Sequence, residues 1–326
     1  MKQDSSARLE GLDYLRVLCL AAVIGIHSFD TQVVLSLHLS DKFLVFAVPC
    51  FFMIAFFLGM REAVKESFLT VSYLKSRFFQ LGPLFLGWSF FYALVRVFKN
   101  NTWASLNPIE FLKIIFLGDA AEHLYFVPLL FYFTLLILAL RRFFGRARMP
   151  AALSVLFFLS LFLDARLGRW FKADFVSDTF LVYVFYYLRY ALFGALFYFV
   201  WARGVSAGLG EARWIRRWSF LILLPLLVMI YINTSWQLWI RTLFYILFFV
   251  GCLFGRWRRS AAVEWLSRHS YGLYLSHHLF VESAQAAEVH LGLNLASTGL
   301  TLFNFFFAAV CCVVWEKIWS SRLKPA

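Results

Sequence analysis

Residues 43–60 have the sequence FLVFAVPCFFMIAFFLGM, eighteen residues without one charged side chain. A run of this length and composition can cross the hydrocarbon core of a bilayer as a helix. The sequence therefore predicts an all-α integral membrane protein of about ten transmembrane helices. The ten mostly apolar stretches lie near residues 12–37, 41–60, 78–98, 123–140, 150–164, 179–201, 218–232, 237–255, 263–283 and 297–319.

The composition agrees with a bilayer as the solvent. Of the 326 residues, 62% are hydrophobic and 15% are charged, and the mean hydropathy is +0.74. A soluble domain of this composition would expose large apolar patches to water. The net charge of +13 arises from short basic clusters between apolar stretches. Membrane topology explains those clusters, so nucleic-acid binding is not expected.

Basic and weakly charged connections alternate along the chain. The basic clusters lie near residues 61–77, 141–148, 203–217 and 256–268. The positive-inside rule places these four connections and both termini in the cytoplasm, which requires an even number of spans. We expect no removable signal peptide and no soluble appended domain, so residues 1–326 are predicted to form a single membrane domain.

Ionisable side chains inside predicted spans are few, and such residues commonly mark functional sites. The first span contains Asp13, Arg16 and His27. Arg16 and His27 share one helix face, about 16 Å apart along the axis. Pairing with Asp13 explains Arg16 most simply, whereas the depth of His27 favours a role in proton transfer. Transporters also keep buried histidines as proton relays, so the spacing alone does not identify an enzyme.

A second cluster, YLKSRFFQLGP at residues 73–83, lies at the predicted cytoplasmic entrance of the third span. By composition, Lys75 and Arg77 are ordinary positive-inside anchors. Alternatively, paired cations there could hold the phosphates of a nucleotide-bearing donor such as coenzyme A.

Two more segments carry candidate site residues. Glu122 and His123 open the fourth predicted span. His277 and His278 lie well inside the ninth, one turn after Tyr274. Adjacent helical residues point about 100° apart, so one of the two histidines is expected to face the bundle interior and the other a neighbouring helix.

Metal binding is not expected. The seven histidines show no spacing typical of a metal site, and carboxylates are scarce in the spans. The five cysteines lie in apolar runs without a paired spacing, which predicts core residues: Cys19, Cys50, Cys252, Cys311 and Cys312.

Five motifs, in order along the chain, resemble the acyltransferase-3 family of bacterial integral membrane O-acyltransferases. They are LDYLR followed by His27, which gives R-x10-H from Arg16, then AVPCFFMIAFFLG (47–59), RFFQLGP (77–83), HLYF (123–126) and SYGLYLSHHLF (270–280). The resemblance covers most of the chain. It also implies a multi-pass protein of the bacterial cytoplasmic (inner) membrane.

The resemblance implies a reaction. The donor would be cytoplasmic acyl-CoA, usually acetyl-CoA, as a co-substrate without any permanently bound cofactor. The acceptor would be a hydroxyl on an envelope polysaccharide or lipid-linked glycan. Some relatives carry a fused hydrolase-like domain. Without one, this chain would acylate its acceptor directly or hand the group to a separate polysaccharide-synthesis protein.

The resemblance also implies site residues. His27 corresponds to the essential histidine, acting as general base or transient acyl carrier, and His277 to the histidine of the YLxH segment. Arg77 matches the first position of a donor-binding RxxR motif, but Gln80 occupies the second. We therefore expect donor binding to depend more on Arg77 and Lys75.

Two other functions fit the same chain. One is a polytopic transporter or exporter of an envelope glycan or its precursor, although the broken-helix pairs and inverted repeat of many transporters are not apparent. The other is a non-catalytic membrane subunit of a polysaccharide-synthesis machine. Neither predicts turnover of an acyl donor.

Overall fold

The computed structural model describes residues 9–28, 43–65, 68–100, 107–174, 179–206, 237–255, 257–291 and 297–322. All regular structure in these ranges is helical. The helices are α1 (Glu10–Ser28), α2 (Ala47–Ala63, preceded by a 3-10 turn at Phe43–Phe46), α3 (Thr70–Asn100), α4 (Pro108–Leu117), α5 (Phe126–Asp174), α6 (Thr179–Ser206), α7 (Gln237–Phe254), α8 (Ala261–Leu291) and α9 (Ser297–Arg322). The predicted span at 218–232 lies outside the described residues.

Several described helices are long and apolar enough to cross a membrane. They supply six such segments: Glu10–Ser28, Leu44–Ala63, Thr70–Lys99, Phe126–Leu163, Val182–Gly204 and Gly299–Trp319. The protein is therefore an all-α, multi-pass membrane protein, as the sequence predicts.

Helix α4 is too short to span a bilayer, because ten residues rise only about 15 Å. Asn107 caps its N-terminus by accepting a hydrogen bond from the Glu110 backbone N–H at 2.9 Å. Pro108 occupies the first turn, where its missing N–H has no cost. Gly118 ends the helix in the left-handed region with φ 73°.

The structure shortens the connection at 141–148, which the sequence predicts as a basic loop between spans 123–140 and 150–164. Two helical segments of α5 meet there at a kink, and only Gly145, with φ 66° and ψ 175°, departs from helical geometry. Glycine adopts that conformation at little steric cost, while the Arg, Phe and Ala residues around it favour helix. The helix also begins at Phe126, so Glu122 and His123 lie in turns before it.

The chain divides into two compact units. We call residues 1–51 and 204–326 the terminal unit, and residues 52–203 the central unit. In the terminal unit, α1 packs against α7, α8 and α9, and α8 packs along α9. The first turn of α1 meets the end of α7, where a Cβ on Gly11 would collide with the Cys252 carbonyl. Tyr14 stacks on Trp257 beside it, with ring centroids 4.6 Å apart.

The central unit has an aromatic interior. Phe52 on α2 is fully buried. Its ring lies 4.7 Å from Phe126 and 5.5 Å from Phe133 on α5, and 5.3 Å from Tyr187 on α6, between centroids. Such tilted aromatic pairs add to the free energy gained by burying the rings.

All five cysteines belong to the terminal unit and are free thiols. Four are buried, as a core role predicts, and the fifth has intermediate exposure: Cys19, Cys50, Cys252 and Cys312 are buried, and Cys311 is not. A buried free cysteine packs as a small hydrophobic residue.

Candidate active site

Helices α1 and α8 bring three histidines together in the terminal unit. The His27 ring lies 5.2 Å from that of His277 and 5.2 Å from that of His278, between centroids. His277 is fully buried, while His27 and His278 are partly exposed. The two α8 histidines differ in burial, yet the His27 ring contacts both of them.

The orientation of the His277 ring fixes its tautomer. Its Nδ1 is hydrogen-bonded to the Tyr274 carbonyl, one turn earlier on α8. A carbonyl oxygen only accepts, so Nδ1–H donates and Nε2 is the basic nitrogen of the neutral ring. The Tyr274 ring is also buried, 5.6 Å from His277 and 6.0 Å from Phe51 between centroids. The predicted Tyr274 and His277 therefore share this cluster with His27.

A second polar group joins α1 to α8. The Ser267 hydroxyl donates to Asp13 Oδ1 at 2.6 Å, and Arg16 Nη1 donates to Ser267 Oγ at 3.3 Å. Arg16 Nη1 also lies 3.6 Å from Asp13 Oδ1, which confirms the predicted pairing. Asp13 and Ser267 are buried, whereas the Arg16 side chain is 26% exposed. A partly exposed guanidinium thus pairs with a buried carboxylate.

The two polar groups show that α1 and α8 are parallel. Arg16 meets Ser267 and His27 meets His278, both at a separation of 251 residues. The eleven-residue interval along each helix corresponds to about 16 Å. One helix pair therefore carries an ion-paired group near its start and three imidazoles about 16 Å further on.

The predicted donor-binding residues lie on α3, in the central unit. Arg77 lines a small cavity of about 40 Å³, where its Nε donates to Tyr73 Oη at 3.2 Å. Lys75 and Gln80 are exposed and do not line that cavity. The Gln80 amide instead donates to Ser76 Oγ at 3.1 Å on its own helix. The structure does not bring these three residues to one place.

Glu122 and His123 are also in the central unit and diverge. Glu122 is exposed and lines a cavity of about 680 Å³. His123 is buried against Tyr92 with ring centroids 5.3 Å apart. Adjacent in sequence, they have different surroundings.

Two residues are absent from the predicted set although their surroundings resemble those of the predicted site residues. Ser267 lies seven residues before Tyr274 and eleven before His278, a spacing that places all three on one helix face. Arg189 is buried in α6, 4.4 Å from the Tyr186 ring and 4.9 Å from the Tyr190 ring, measured from its guanidinium carbon. The rule applied to His27, that an ionisable residue in a span marks a site, would also have found Arg189.

The histidine cluster can perform acid–base chemistry. A neutral imidazole accepts a proton from a hydroxyl, and a neighbouring ring offers a second basic nitrogen. Within the described residues, no group of three or more His, Cys, Asp and Glu side chains is arranged to hold a metal ion.

Comparison with protein families identifies the class of protein that contains this histidine cluster. The acyltransferase-3 model, described as an acyltransferase domain, matches residues 9–315. The chain belongs to the acyltransferase-3 family. The resemblance drawn from the motifs is thereby confirmed over nearly the whole chain, including both units of this membrane acyltransferase. Comparisons with curated proteins and with solved structures gave no match.

Proposed function

We propose that this acyltransferase moves an acyl group, with acetyl first among candidates, from acyl-CoA to a hydroxyl of a cell-envelope polysaccharide or lipid-linked glycan. The observation that carries the proposal is the contact of the His27 ring with His277 and His278. Membership of the family supplies acyl transfer as the reaction class. The histidine cluster supplies a base for it.

In the proposed mechanism, His27 accepts the proton of the acceptor hydroxyl as that oxygen attacks the acyl carbonyl carbon. The new ester C–O bond forms, the thioester C–S bond breaks, and coenzyme A leaves as a thiolate that takes up a proton. His277 and His278 orient the His27 ring and offer basic nitrogens beside it. In a covalent variant, His27 would carry the acyl group, and labelled donor alone would then label the protein.

We assign three basic side chains to binding of the acyl-CoA donor. Arg16, Lys75 and Arg77 each lie near the start of a helix that is predicted to begin in the cytoplasm. Guanidinium and ammonium groups suit the phosphates of coenzyme A. Arg77 has the strongest case for this role, because it occupies the first position of the family's donor-binding motif.

The proposed topology has about ten spans with both termini in the cytoplasm of a bacterial inner-membrane protein. Two features support it. Gly145 interrupts α5, so residues 126–144 and 146–174 count as separate helices. Helices α1 and α8 are parallel, as the first and ninth of ten alternating spans would be.

Label transfer by the purified full chain in lipid nanodiscs tests the function. The donor is radiolabelled acetyl-CoA, and the acceptor is envelope glycan from which O-acyl groups were removed with mild alkali. His27→Ala should lower transfer by about 10²–10⁴-fold, the usual contribution of a general base. His290→Ala is the matched control, because His290 is an exposed histidine at the end of α8.

Near-normal transfer by His27→Ala would overturn the mechanism. The same assay separates the rival functions. A glycan transporter and a non-catalytic subunit both predict that wild-type protein neither transfers the label nor hydrolyses the donor.

A further inference from the structure

A large cavity lies at one end of the central unit. It has a volume of about 680 Å³, within the range of about 300–1,000 Å³ typical of small-ligand sites. Its walls come from the end of α3, from α4 and the turns that follow it, and from the start of α6. The mechanism proposed above uses none of its side chains.

Specific contacts build this cavity. Gly118 leaves no room for a side chain, since a Cβ there would meet the Leu124 and Tyr125 backbone. Arg96 of α3 donates to the Asp119 carbonyl at 2.7 Å and lies 3.6 Å from its carboxylate. The turns after α4 are therefore tied to α3 at this side of the cavity.

One wall of the cavity is aromatic. Tyr125 and Tyr183 stack with centroids 4.2 Å apart and planes inclined by 26°. Tyr125 also shares a hydrogen bond of 3.0 Å with Tyr187, which fixes its ring. An outer ring face of this stacked pair gives a flat apolar surface with a hydroxyl at its edge, suited to a ligand with an apolar face and a polar rim.

The charged groups of the cavity balance one another. Arg96 and Lys113 supply two cations, and Asp119 and Glu122 supply two carboxylates. A phosphate-rich ligand would favour an excess of cations. Hydroxyl groups instead need both acceptors and donors, which this set provides.

The cavity is far from the proposed donor residues of the same unit. Lys75 and Arg96 are 21 residues apart on α3, which corresponds to about 32 Å along a helix axis. The hydrocarbon core of a bilayer is about 30 Å thick. A ligand of the cavity would therefore approach from the membrane face opposite to Lys75 and Arg77.

We propose that this cavity binds a sugar residue of the acceptor glycan, an inference that rests on the proposed function. The sugar ring packs on the outer face of the Tyr183 ring, and its hydroxyls bond to Glu122, Asp119 and Arg96. An uncharged sugar fits the balanced charges better than a phosphorylated one does.

The test measures binding without any acyl donor, so it does not depend on catalysis. The probe is the alkali-treated envelope glycan, cut to short oligosaccharides, and saturation-transfer NMR reports its binding to the full chain in nanodiscs. Tyr183→Ala should weaken binding about tenfold, and Glu122→Gln about threefold. Tyr198→Ala, a partly buried tyrosine near the other end of α6, is the matched control and should bind as wild type does.

Glu122 is exposed, so its substitution should leave folding intact even if Tyr183→Ala unfolds the chain. Unchanged binding by a folded Glu122→Gln variant and a folded Tyr183 variant would overturn the proposal. So would the absence of binding by wild type, or displacement of the oligosaccharide by coenzyme A. His27→Ala should bind the probe normally, so failure of the proposed chemistry would be seen separately in the transfer assay.

Discussion

The two units place their polar side chains in opposite ways. In the terminal unit, α1 and α8 meet through polar groups along their shared face, from Asp13 to His278. In the central unit, the interior around Phe52 is aromatic, with Arg189 held between tyrosine rings, and a cavity lies toward each end of α3. The comparison indicates that the terminal unit adds buried hydrogen bonds to the aromatic and close backbone contacts that both units contain.

Removing a buried carboxylate should have the largest effect on stability. Asp13→Ala would leave Ser267 without its acceptor and Arg16 without its carboxylate, at a cost of about 3 kcal/mol in the free energy of unfolding. Thermal unfolding in detergent measures this. The control is Glu62→Ala, which removes the carboxylate of an exposed pair with Lys65 and should cost about 0.5 kcal/mol or less.

Asp13→Asn sharpens the same test. The amide keeps an oxygen for the Ser267 hydroxyl but loses the charge facing Arg16, so its cost should lie between those of the two alanine variants. If Asp13→Ala costs no more than Glu62→Ala, the terminal unit does not depend on its buried polar group.

A glycine in the central unit should show the next largest effect. A Cβ on Gly194 of α6 would collide with the Met53 backbone of α2. Backbone cannot move aside as a flexible side chain can, so Gly194→Ala should lower the free energy of unfolding by about 2 kcal/mol.

Gly87→Ala is the matched control for close packing. Gly87 lies in α3 with nothing within 4 Å of the added methyl group. Alanine favours helix, so this change should be neutral or stabilise the protein by up to about 1 kcal/mol. Equal melting temperatures for the two variants would show that close approach of α2 and α6 is not required.

The smallest expected effect concerns Gln80, the position where the family motif has arginine. Gln80 is exposed and bonded only within its own helix, to Ser76. Gln80→Arg should lower the KM for acetyl-CoA about threefold at low salt, because an exposed cation attracts phosphate weakly. The gain should vanish in 1 M salt. A KM that is unchanged at low salt would argue against donor phosphates near this part of α3.

The sequence predicts the fold class well because hydropathy is a local property. It is less informative at helix boundaries. The basic segment around Gly145 resembles a loop in composition, yet every residue except glycine remains helical there. Likewise, HLYF resembles the beginning of a helix, but α5 starts only at Phe126. In both places, backbone conformation sets the end of a helix, and the charge and hydropathy of the sequence do not predict that position.

The contacts among the candidate site residues are harder to predict from the sequence than the residues themselves. Helical spacing places Asp13 beside Arg16, and the structure confirms that pair. The contact of His27 with two adjacent histidines depends on the exact position of α1 against α8, which periodicity along one helix cannot reveal. Ser267 was missed for the same reason, since its role depends on a partner 254 residues away in the sequence.

The separation of 251 residues between His27 and His278 also has a consequence in time. A ribosome adds roughly 5–20 residues per second, so α1 would precede its partner by about 10–50 s. During that interval the aspartate, arginine and histidine of α1 are already present. Their α8 partners Ser267, His277 and His278 have not yet been synthesised. The histidine cluster therefore forms late in synthesis, and interruption of translation before α8 would leave a chain in which His27 lacks both of its histidine neighbours.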